Sequence, residues 1–275
     1  MDENFARLNL IGNSAGFLEA LDLIRRFAAS DAIVLIQGET GTGKELAARA
    51  IHYLSVRRNK PFVPINCGAL PESLIETELF GHTRGAFTDA REPKDGLISR
   101  ARGGTLVLDE IEAMTPRTQV ALLRFLQDRE YRPIGGTSIK HADVRVIGMT
   151  NADLDSLVKQ GLFRADLRFR LSVLPLLLPP LRQRGDDVIV LADSFVQRLN
   201  KLSDEPPKAL DPGTRALLSA HSWPGNVREL ENIIQREFIL ARGRPLITIS
   251  SIDRVSGVSE PGSAKPEKGG GISLG

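Results

Sequence analysis

A glycine-rich segment at residues 38–45 constrains the fold of this chain more than any other feature of its sequence. An apolar run precedes the segment, and a stretch with helical spacing of apolar residues follows it. The segment matches the pattern G-x-x-x-x-G-K, in which backbone amides and a helix N-terminus hold phosphate groups while the lysine neutralises their charge. The sequence therefore predicts a strand, a phosphate-binding loop and a helix. The loop candidates are Gly38, Glu39, Thr40, Gly41, Thr42, Gly43, Lys44 and Glu45.

The residue after the lysine departs from the general form of this loop. Serine or threonine usually stands there, because its hydroxyl binds magnesium, whereas this chain has Glu45. The departure weakens the match when the loop is considered alone. The alternative interpretation is a glycine-rich turn without function, and the flanking strand and helix patterns argue against it.

Two pairs of polar residues follow strand patterns further along the chain. Asp109 and Glu110 form the first pair, and Thr150 and Asn151 form the second. Ligands bind at the carboxyl ends of strands in open α/β sheets, so Asp109 can hold magnesium and Glu110 can orient water. Thr150 or Asn151 can contact the γ-phosphate or the attacking water. Considered alone, the acidic pair fits a helix cap and the second pair fits a simple turn.

Apolar runs alternate with helical patterns through the first part of the chain. The runs at residues 62–65, 105–108 and 144–149 fit buried strands, and residues 119–127 fit a helix. Alternation of this kind indicates a parallel sheet covered by helices, which is an α/β fold.

The pattern changes after the proline pair at residues 179–180. Three amphipathic helices are predicted there, with no strand pattern between them, at residues 187–199, 211–219 and 226–241. Asp211 and Asn226 stand at helix starts, where their side chains can cap free backbone amides. We therefore expect an α/β domain at residues 1–180 and a small helical domain at residues 181–255. Residues 256–275 are rich in Gly, Ser, Pro, Glu and Lys, which predicts a disordered tail.

Composition excludes several classes of protein. The 36 basic residues nearly balance the 34 acidic ones, so bulk charge does not indicate nucleic-acid binding. The single Cys67 cannot form an internal disulfide and offers no metal cluster, which fits a reducing compartment. The most apolar stretch, residues 171–181, contains three prolines and is too short to span a bilayer. The N-terminus lacks a secretory pattern. We expect a cytoplasmic protein without a membrane segment.

Several motifs occur in one order between residues 10 and 249. The most specific lie at residues 38–45, 78–82, 85–90, 103–110, 163–171 and 223–230. Together they resemble the AAA+ family, and more narrowly the central domain of the bacterial enhancer-binding proteins that activate sigma-54 RNA polymerase. In that group the loop normally ends Gly-Lys-Glu, so Glu45 matches the narrower pattern.

The resemblance implies a fold, cofactors and partners. The fold is a P-loop AAA+ three-layer parallel sheet followed by a small C-terminal helical lid. The cofactors are ATP and Mg²⁺, and the assembly is a homo-oligomeric ring, expected to be a hexamer, that acts on the sigma-54 RNA polymerase holoenzyme. Family members usually add an N-terminal regulatory domain and a C-terminal helix-turn-helix, and neither fits in this chain. We therefore expect no DNA-binding domain here.

The resemblance also implies roles for individual residues. Asn66 matches the position that holds the catalytic glutamate, here Glu110, in an inactive orientation. The other matches are the first sensor, Thr150 and Asn151; the arginines that reach a neighbouring subunit's nucleotide, Arg164 and Arg170; and the second sensor on the lid, Arg228. Without the family pattern, a solvated charge is the alternative for each arginine. An arginine finger makes hydrolysis depend on assembly.

The segment Gly85, Ala86, Phe87, Thr88, Asp89 and Ala90 resembles the family's Gly-Ala-Phe-Thr-Gly-Ala contact loop for the sigma factor. Asp89 replaces a glycine and adds a negative charge. Three interpretations follow: an ATPase that remodels sigma-54 polymerase, a ring ATPase that acts on another partner or represses transcription, and an assembly module that binds nucleotide without useful hydrolysis. Asp89 favours the second. The residues that argue against the third are Lys44, Asp109, Glu110 and Arg170.

Overall fold

The computed structural model describes Phe5, residues 8–87 and residues 90–249, apart from the side chains of residues 72 and 73. The described strands are β1 (Val34–Gln37), β2 (Phe62–Asn66), β3 (Gly81–His82), β4 (Lys94–Asp95), β5 (Thr105–Asp109), β6 (Glu130–Tyr131), β7 (Lys140–His141), β8 (Arg145–Thr150), β9 (Leu174–Leu177), β10 (Ala209–Leu210) and β11 (Leu246–Ile247). The described α-helices are α1 (Ala15–Ala28), α2 (Lys44–Tyr53), α3 (Glu72–Phe80), α4 (Leu97–Arg100), α5 (Pro116–Asp128), α6 (Leu154–Lys159), α7 (Ala165–Leu171), α8 (Asp187–Leu202), α9 (Pro212–Ala220) and α10 (Asn226–Leu240). Short 3-10 helices lie at Ile111–Ala113 and Leu181–Gln183.

A five-stranded parallel sheet in the order β2-β5-β8-β1-β9 forms the centre of the α/β part. Its strands are short apolar runs that bury side chains on both faces. Leu106 and Leu108 of β5 pack into one apolar cluster, while Val107 between them packs into the other. This alternation is the strand period of two residues. The predicted parallel sheet with helices on both faces is confirmed.

The edge strand β9 was not predicted from the sequence. It pairs with β1 and carries Pro175, which cannot donate a ladder hydrogen bond. Proline is tolerated here because β9 is at the edge of the sheet. The prolines of the apolar stretch at residues 171–181 concealed the strand pattern, and residues 174–177 of that stretch complete the sheet.

The region after β9 packs helices α8, α9 and α10 around a separate apolar cluster that contains the buried Trp223. A short parallel pair, β10 and β11, also lies in this region. The sequence pattern gave no signal for this pair, because two-residue strands carry no detectable periodicity. Within the described ranges, no helix combines the length and the apolar character needed to cross a membrane.

The two predicted helix caps have different outcomes. Asp211 caps α9, since its side chain accepts the amides of Gly213 at 2.8 Å and Thr214 at 3.1 Å. Asn226 does not cap α10, and that prediction was wrong. Its Oδ1 instead accepts the amide of Leu181 at 2.8 Å. The Asn226 backbone has a φ of 53°, which is outside the usual geometry of a capping residue.

A buried ion pair connects the helical region to the segment before α1. Arg184 Nε lies 3.0 Å from Asp187 Oδ2, and both side chains are only 2% exposed. Asp187 also accepts the backbone amides of Asn13 and Ser14, and Arg184 donates to the Ile11 carbonyl. A buried pair of this kind is tolerated only when additional hydrogen bonds satisfy both partners, as they do here.

Candidate nucleotide-binding and hydrolysis site

The glycine-rich loop follows β1 and leads directly into α2, as the sequence predicts. The positive end of α2 therefore faces the loop, where it can attract phosphate groups. Lys44 begins this helix, and its Nζ donates to the carbonyls of Gly38 at 2.8 Å and Glu39 at 3.1 Å. Burial lowers the pKa of Lys44, while the carboxylate of Asp109 opposes that effect. The lysine is thus held at the loop by acceptors that bound phosphate oxygens can replace.

Gly41 shows why part of this loop has to be glycine. Its φ is 80°, in the region that side-chain-bearing residues rarely adopt. A Cβ atom at this position would lie 2.2 Å from the carbonyl oxygen of Gly225. The loop therefore touches the start of α10 at a distance that leaves no space for a side chain.

The acidic pair lies beside the loop at the end of β5. Asp109 is half-buried, and its Oδ1 accepts the Glu110 amide at 3.0 Å. Burial raises the pKa of Asp109, and the neighbouring amide and Lys44 act against this rise. Glu110 has a φ of 53°. Backbone strain of this kind is found preferentially at functional sites.

A cleft of about 330 Å³ brings many of the candidate residues together. It lies at the carboxyl ends of β5, β8 and β1, which are consecutive in the sheet. Its lining includes Thr40, Gly41, Gly43, Lys44, Glu45, Asp109, Glu110, Asn151 and Arg228. The cleft thus combines two cations with several carboxylates, and the lid contributes Arg228 from α10.

The two residues of the first sensor have different positions. Asn151 lines the cleft, and its Nδ2 donates to Thr40 Oγ1 at 3.0 Å. Thr150 is completely buried, and its hydroxyl accepts the Ala152 amide at 3.0 Å. Asn151 therefore faces the place where phosphates can bind, whereas Thr150 stabilises the turn behind it.

Asn66 and Glu110 are close but are not joined by a hydrogen bond in the part of the chain that is described. Asn66 lies opposite Asp109 in the sheet, and its Oδ1 accepts the amides of Gly68 at 2.8 Å and Ala69 at 2.9 Å. The Glu110 carboxylate packs against Gly68, because a Cβ atom there would lie 2.0 Å from Glu110 Oε2. The restraining contact that the resemblance implies is absent from this conformation.

Neither arginine expected to act on a neighbour lies in the cleft of its own chain. Arg164 makes a two-point ion pair with Asp166, with N to O distances of 3.0 and 2.7 Å. Arg170 donates twice to the carbonyl of Leu126, at 3.2 and 2.9 Å. Both residues are exposed, and each side chain is held by an acceptor that does not line the cleft.

The contact loop lies between β3 and β4. Its described residues close a tight turn, in which Gly85 N donates to Ala90 O at 2.8 Å and Ala90 N donates to Phe87 O at 3.0 Å. Phe87 is 42% exposed, and its ring centroid lies 4.9 Å from that of His82. Thr88 and Asp89 lie outside the described residues.

The structure also shows cleft residues that were not predicted. Glu231 lines the cleft three residues after Arg228 on α10, so helical periodicity from Arg228 is the signal that could have found it. Asn226 and Arg182 contact the loop residue Glu39. No local pattern indicates those contacts, because the partners are far apart in the sequence.

Residues 10–177 match the family model described as the sigma-54 interaction domain, and residues 182–267 match the AAA+ ATPase lid domain. The chain therefore belongs to the sigma-54 interaction family, the AAA+ domains of sigma-54-dependent transcriptional activators. It is 48% identical over 239 residues to the regulatory protein AtoC of Escherichia coli (strain K12), which covers 87% of this chain and 52% of that protein.

A second relative and a solved structure show the same similarity. The DNA-binding transcriptional regulator NtrC of Rhizobium meliloti (strain 1021) is 48% identical over 235 residues, covering 86% of this chain and 48% of that protein. NtrX of Brucella abortus in complex with ATP superposes with a TM-score of 0.81 at 38% identity, covering 86% of this chain and 52% of that one. The chain thus spans about half the length of the relatives it matches.

Proposed function

We propose that this chain binds ATP and hydrolyses it to remodel the closed complex of sigma-54 RNA polymerase. The observation that carries the proposal is the cleft in which Lys44, Asp109, Glu110 and Arg228 meet. These residues come from three separate segments of the sequence, and their meeting in one cleft supports a shared chemical role. Membership of the sigma-54 interaction family supports the choice of target.

The loop and the lid bind the nucleotide in this proposal. Backbone amides of residues 38–43 and the start of α2 hold the phosphates. Lys44 exchanges its present carbonyl partners for phosphate oxygens and neutralises their charge. Arg228 adds a second positive charge to the cleft from helix α10 of the lid.

Glu110 is the proposed group that orients the attacking water, and Asn151 contacts the γ-phosphate or that water. Both line the cleft, and the Glu110 carboxylate packs against Gly68. A carboxylate in hydrogen-bond reach of water withdraws its proton as the water attacks. Asn66 regulates this step if it captures the Glu110 carboxylate in another conformation.

The donor set in the cleft fits magnesium. Mg²⁺ usually takes one or two protein carboxylates together with phosphate oxygens and water. Asp109 Oδ1 accepts the Glu110 amide, while Oδ2 has no hydrogen-bond partner among the described residues. Asp109 would therefore hold the ion, which neutralises charge on the phosphates when bound.

Hydrolysis also depends on a second copy of the chain in this proposal. Arg164 and Arg170 lie outside their own cleft, so they can stabilise the phosphoryl group only at a neighbour's site. A homo-oligomeric ring, proposed to be a hexamer, places each pair of arginines beside the next cleft. Residues 1–180 form the nucleotide-binding part of each subunit and residues 181–255 form its lid.

Phe87 and the rest of the contact loop are the proposed surface for sigma-54. An exposed aromatic side chain supplies a large apolar contact area at low entropic cost. The second candidate function is a ring ATPase for another partner or for repression, and the specific observation in its favour is the charged Asp89 in the loop.

One experiment separates these functions. Purified sigma-54 is mixed with the protein and a transition-state analogue of ATP, and capture is measured by gel filtration. We expect a complex that forms only with the analogue. ATP hydrolysis without capture would favour the second candidate, and an absence of both hydrolysis and nucleotide binding would contradict the proposed function itself.

A further inference from the structure

Asn226, the first residue of α10, is a completely buried amide whose hydrogen bonds connect three segments of the chain. Its Oδ1 accepts the amide of Leu181 at 2.8 Å. Its Nδ2 donates to the Thr40 carbonyl at 3.0 Å and to Glu39 Oε2 at 3.1 Å. Both donors of the amide are therefore directed at the phosphate-binding loop.

The backbones of the same two segments are also in direct contact. The Val227 amide donates to the carbonyl of Gly41 at 3.0 Å. The Gly41 Cα lies so close to Gly225 that no Cβ atom fits between them. The start of α10 and the tip of the loop therefore form one packed joint, and Asn226 is its buried side-chain element.

Arg228 lies two residues beyond Asn226 and lines the cleft with Lys44. The joint fixes the first turn of α10, and this turn determines where the Arg228 side chain can reach. We propose that Asn226 is a positioning residue for the nucleotide, which holds the lid against the loop so that Arg228 reaches the phosphates. The inference rests on the proposed function, because it assigns a role within the same site.

Glu39 joins the same contact from the loop side. Its carboxylate accepts hydrogen bonds from Arg182 Nη1 at 2.7 Å and Nη2 at 2.5 Å, besides the one from Asn226. Hydrogen bonds from Arg182 and Asn226 lower the pKa of Glu39 to about 2, so it is ionised at neutral pH. The Glu39 and Arg182 side chains are 41% and 44% exposed, and solvent weakens such pairs. The buried amide of Asn226 is therefore the more important part of the joint.

Asn226→Asp tests the proposal with almost no change of shape. The Leu181 amide keeps its acceptor, but a second carboxylate now faces Glu39 and the carbonyl of Thr40 instead of a donor. We expect the Kd of a non-hydrolysable ATP analogue, measured by titration calorimetry, to rise at least about tenfold, which is about 1.4 kcal/mol. The KM for hydrolysis rises by a similar factor with a smaller change in kcat, as loss of uniform binding requires.

Asn200→Asp is the matched control. Asn200 lies on α8 of the lid, where its amide donates to the Lys208 carbonyl and accepts the Lys208 amide, both at 2.9 Å. The variant makes the same chemical change within the lid but away from the loop, so nucleotide affinity should stay within about twofold of wild type. Equal affinity losses in the two variants would overturn the proposal, because a general effect on the lid would then explain both.

A second substitution tests the direction of the Asn226 hydrogen bond. Adding Glu39→Gln to Asn226→Asp restores a hydrogen bond between the two side chains, with the donor now on the loop and the acceptor on the lid. The double variant should therefore bind the analogue more tightly than Asn226→Asp alone. Further weakening would contradict the proposal.

If Asn226→Asp does not fold, Asn226→Gly replaces it, because glycine accepts the positive φ and removes both Nδ2 bonds. If the wild-type protein binds the analogue but does not hydrolyse ATP, the proposed enzyme function is wrong. The comparison of nucleotide affinities between the variants remains valid in that case.

Discussion

The cleft and the contact loop differ in how firmly their side chains are held. In the cleft, Lys44 donates to two carbonyls of its own loop and Asp109 accepts the amide of Glu110. In the contact loop, by contrast, the Phe87 side chain is 42% exposed. The cleft beside the glycine-rich loop is lined by charged groups whose positions are fixed by strands, a helix start and the lid. The described residues of the contact loop are joined by two backbone hydrogen bonds, from Gly85 to Ala90 and from Ala90 to Phe87. Contacts within the chain therefore fix the side chains of the cleft, whereas they hold the exposed Phe87 side chain less firmly.

The two regions also differ in what they need in order to function. A catalytic group needs neighbours that set its charge and orientation, and the chain supplies them. A contact surface needs exposed apolar area, and its complement lies on another molecule. We therefore expect substitutions in the cleft to change ATP hydrolysis strongly and substitutions in the contact loop to change it little.

Lys44→Ala should have the largest effect. The lysine is the side-chain cation that the glycine-rich loop itself offers to the phosphates, so its loss should abolish measurable ATP binding in titration calorimetry. Lys159→Ala is a suitable control, because Lys159 is an exposed lysine at the end of α6. Unchanged affinity in a folded Lys44→Ala protein would remove the basis for assigning the cleft.

Arg170→Ala should come next, with hydrolysis reduced about a thousandfold or more and ATP binding retained, as loss of an arginine finger predicts. Arg168→Ala is the matched control on the same helix, since Arg168 pairs with Asp155 at 2.7 Å on the surface. Its hydrolysis should remain close to that of wild type. Steady-state rates at saturating ATP measure both variants.

Mixing experiments sharpen this prediction. A Lys44→Ala subunit still carries Arg170, so adding it to Arg170→Ala protein should restore part of the activity at clefts that bind ATP and face an intact arginine. Hydrolysis by wild type should also rise more steeply than linearly with protein concentration. If confirmed mixed rings show no recovery at any ratio, the arginine does not act on a neighbour.

Glu110→Gln should reduce kcat about a hundredfold or more while ATP binding persists. The amide fills the same space beside Gly68, but it accepts the proton of the attacking water poorly. Binding is measured by calorimetry and turnover by phosphate release, so the two effects are separated. A normal rate would show that another group orients the water.

The sequence predicted the cleft better than it predicted the joint between loop and lid. The loop, β5 and β8 are local patterns of glycine and apolar residues, so their ends and polar residues can be read directly from the chain. Asn226 was misassigned as a cap because its partners, Glu39 and Thr40, are distant in sequence. The strand β9 was missed because Pro175 within it interrupts the usual pattern. Both errors concern features that only tertiary contacts determine.

Phe87→Ala should have the smallest effect on hydrolysis, and it gives the sharpest test of the separation between the two regions. The side chain lies outside the cleft, and its described ring contact is with His82. Basal ATP hydrolysis should therefore stay within about twofold of wild type, while capture of sigma-54 with the transition-state analogue is lost, because an aromatic anchor dominates many interfaces. Leu202→Ala, which truncates an apolar side chain that is 80% exposed on the lid, should leave both measurements unchanged. In the expected pattern, ATP hydrolysis in the cleft does not need the Phe87 side chain, whereas capture of sigma-54 does. A large loss of basal hydrolysis in Phe87→Ala would show that the two regions are coupled within one subunit, and normal capture would assign the contact surface elsewhere.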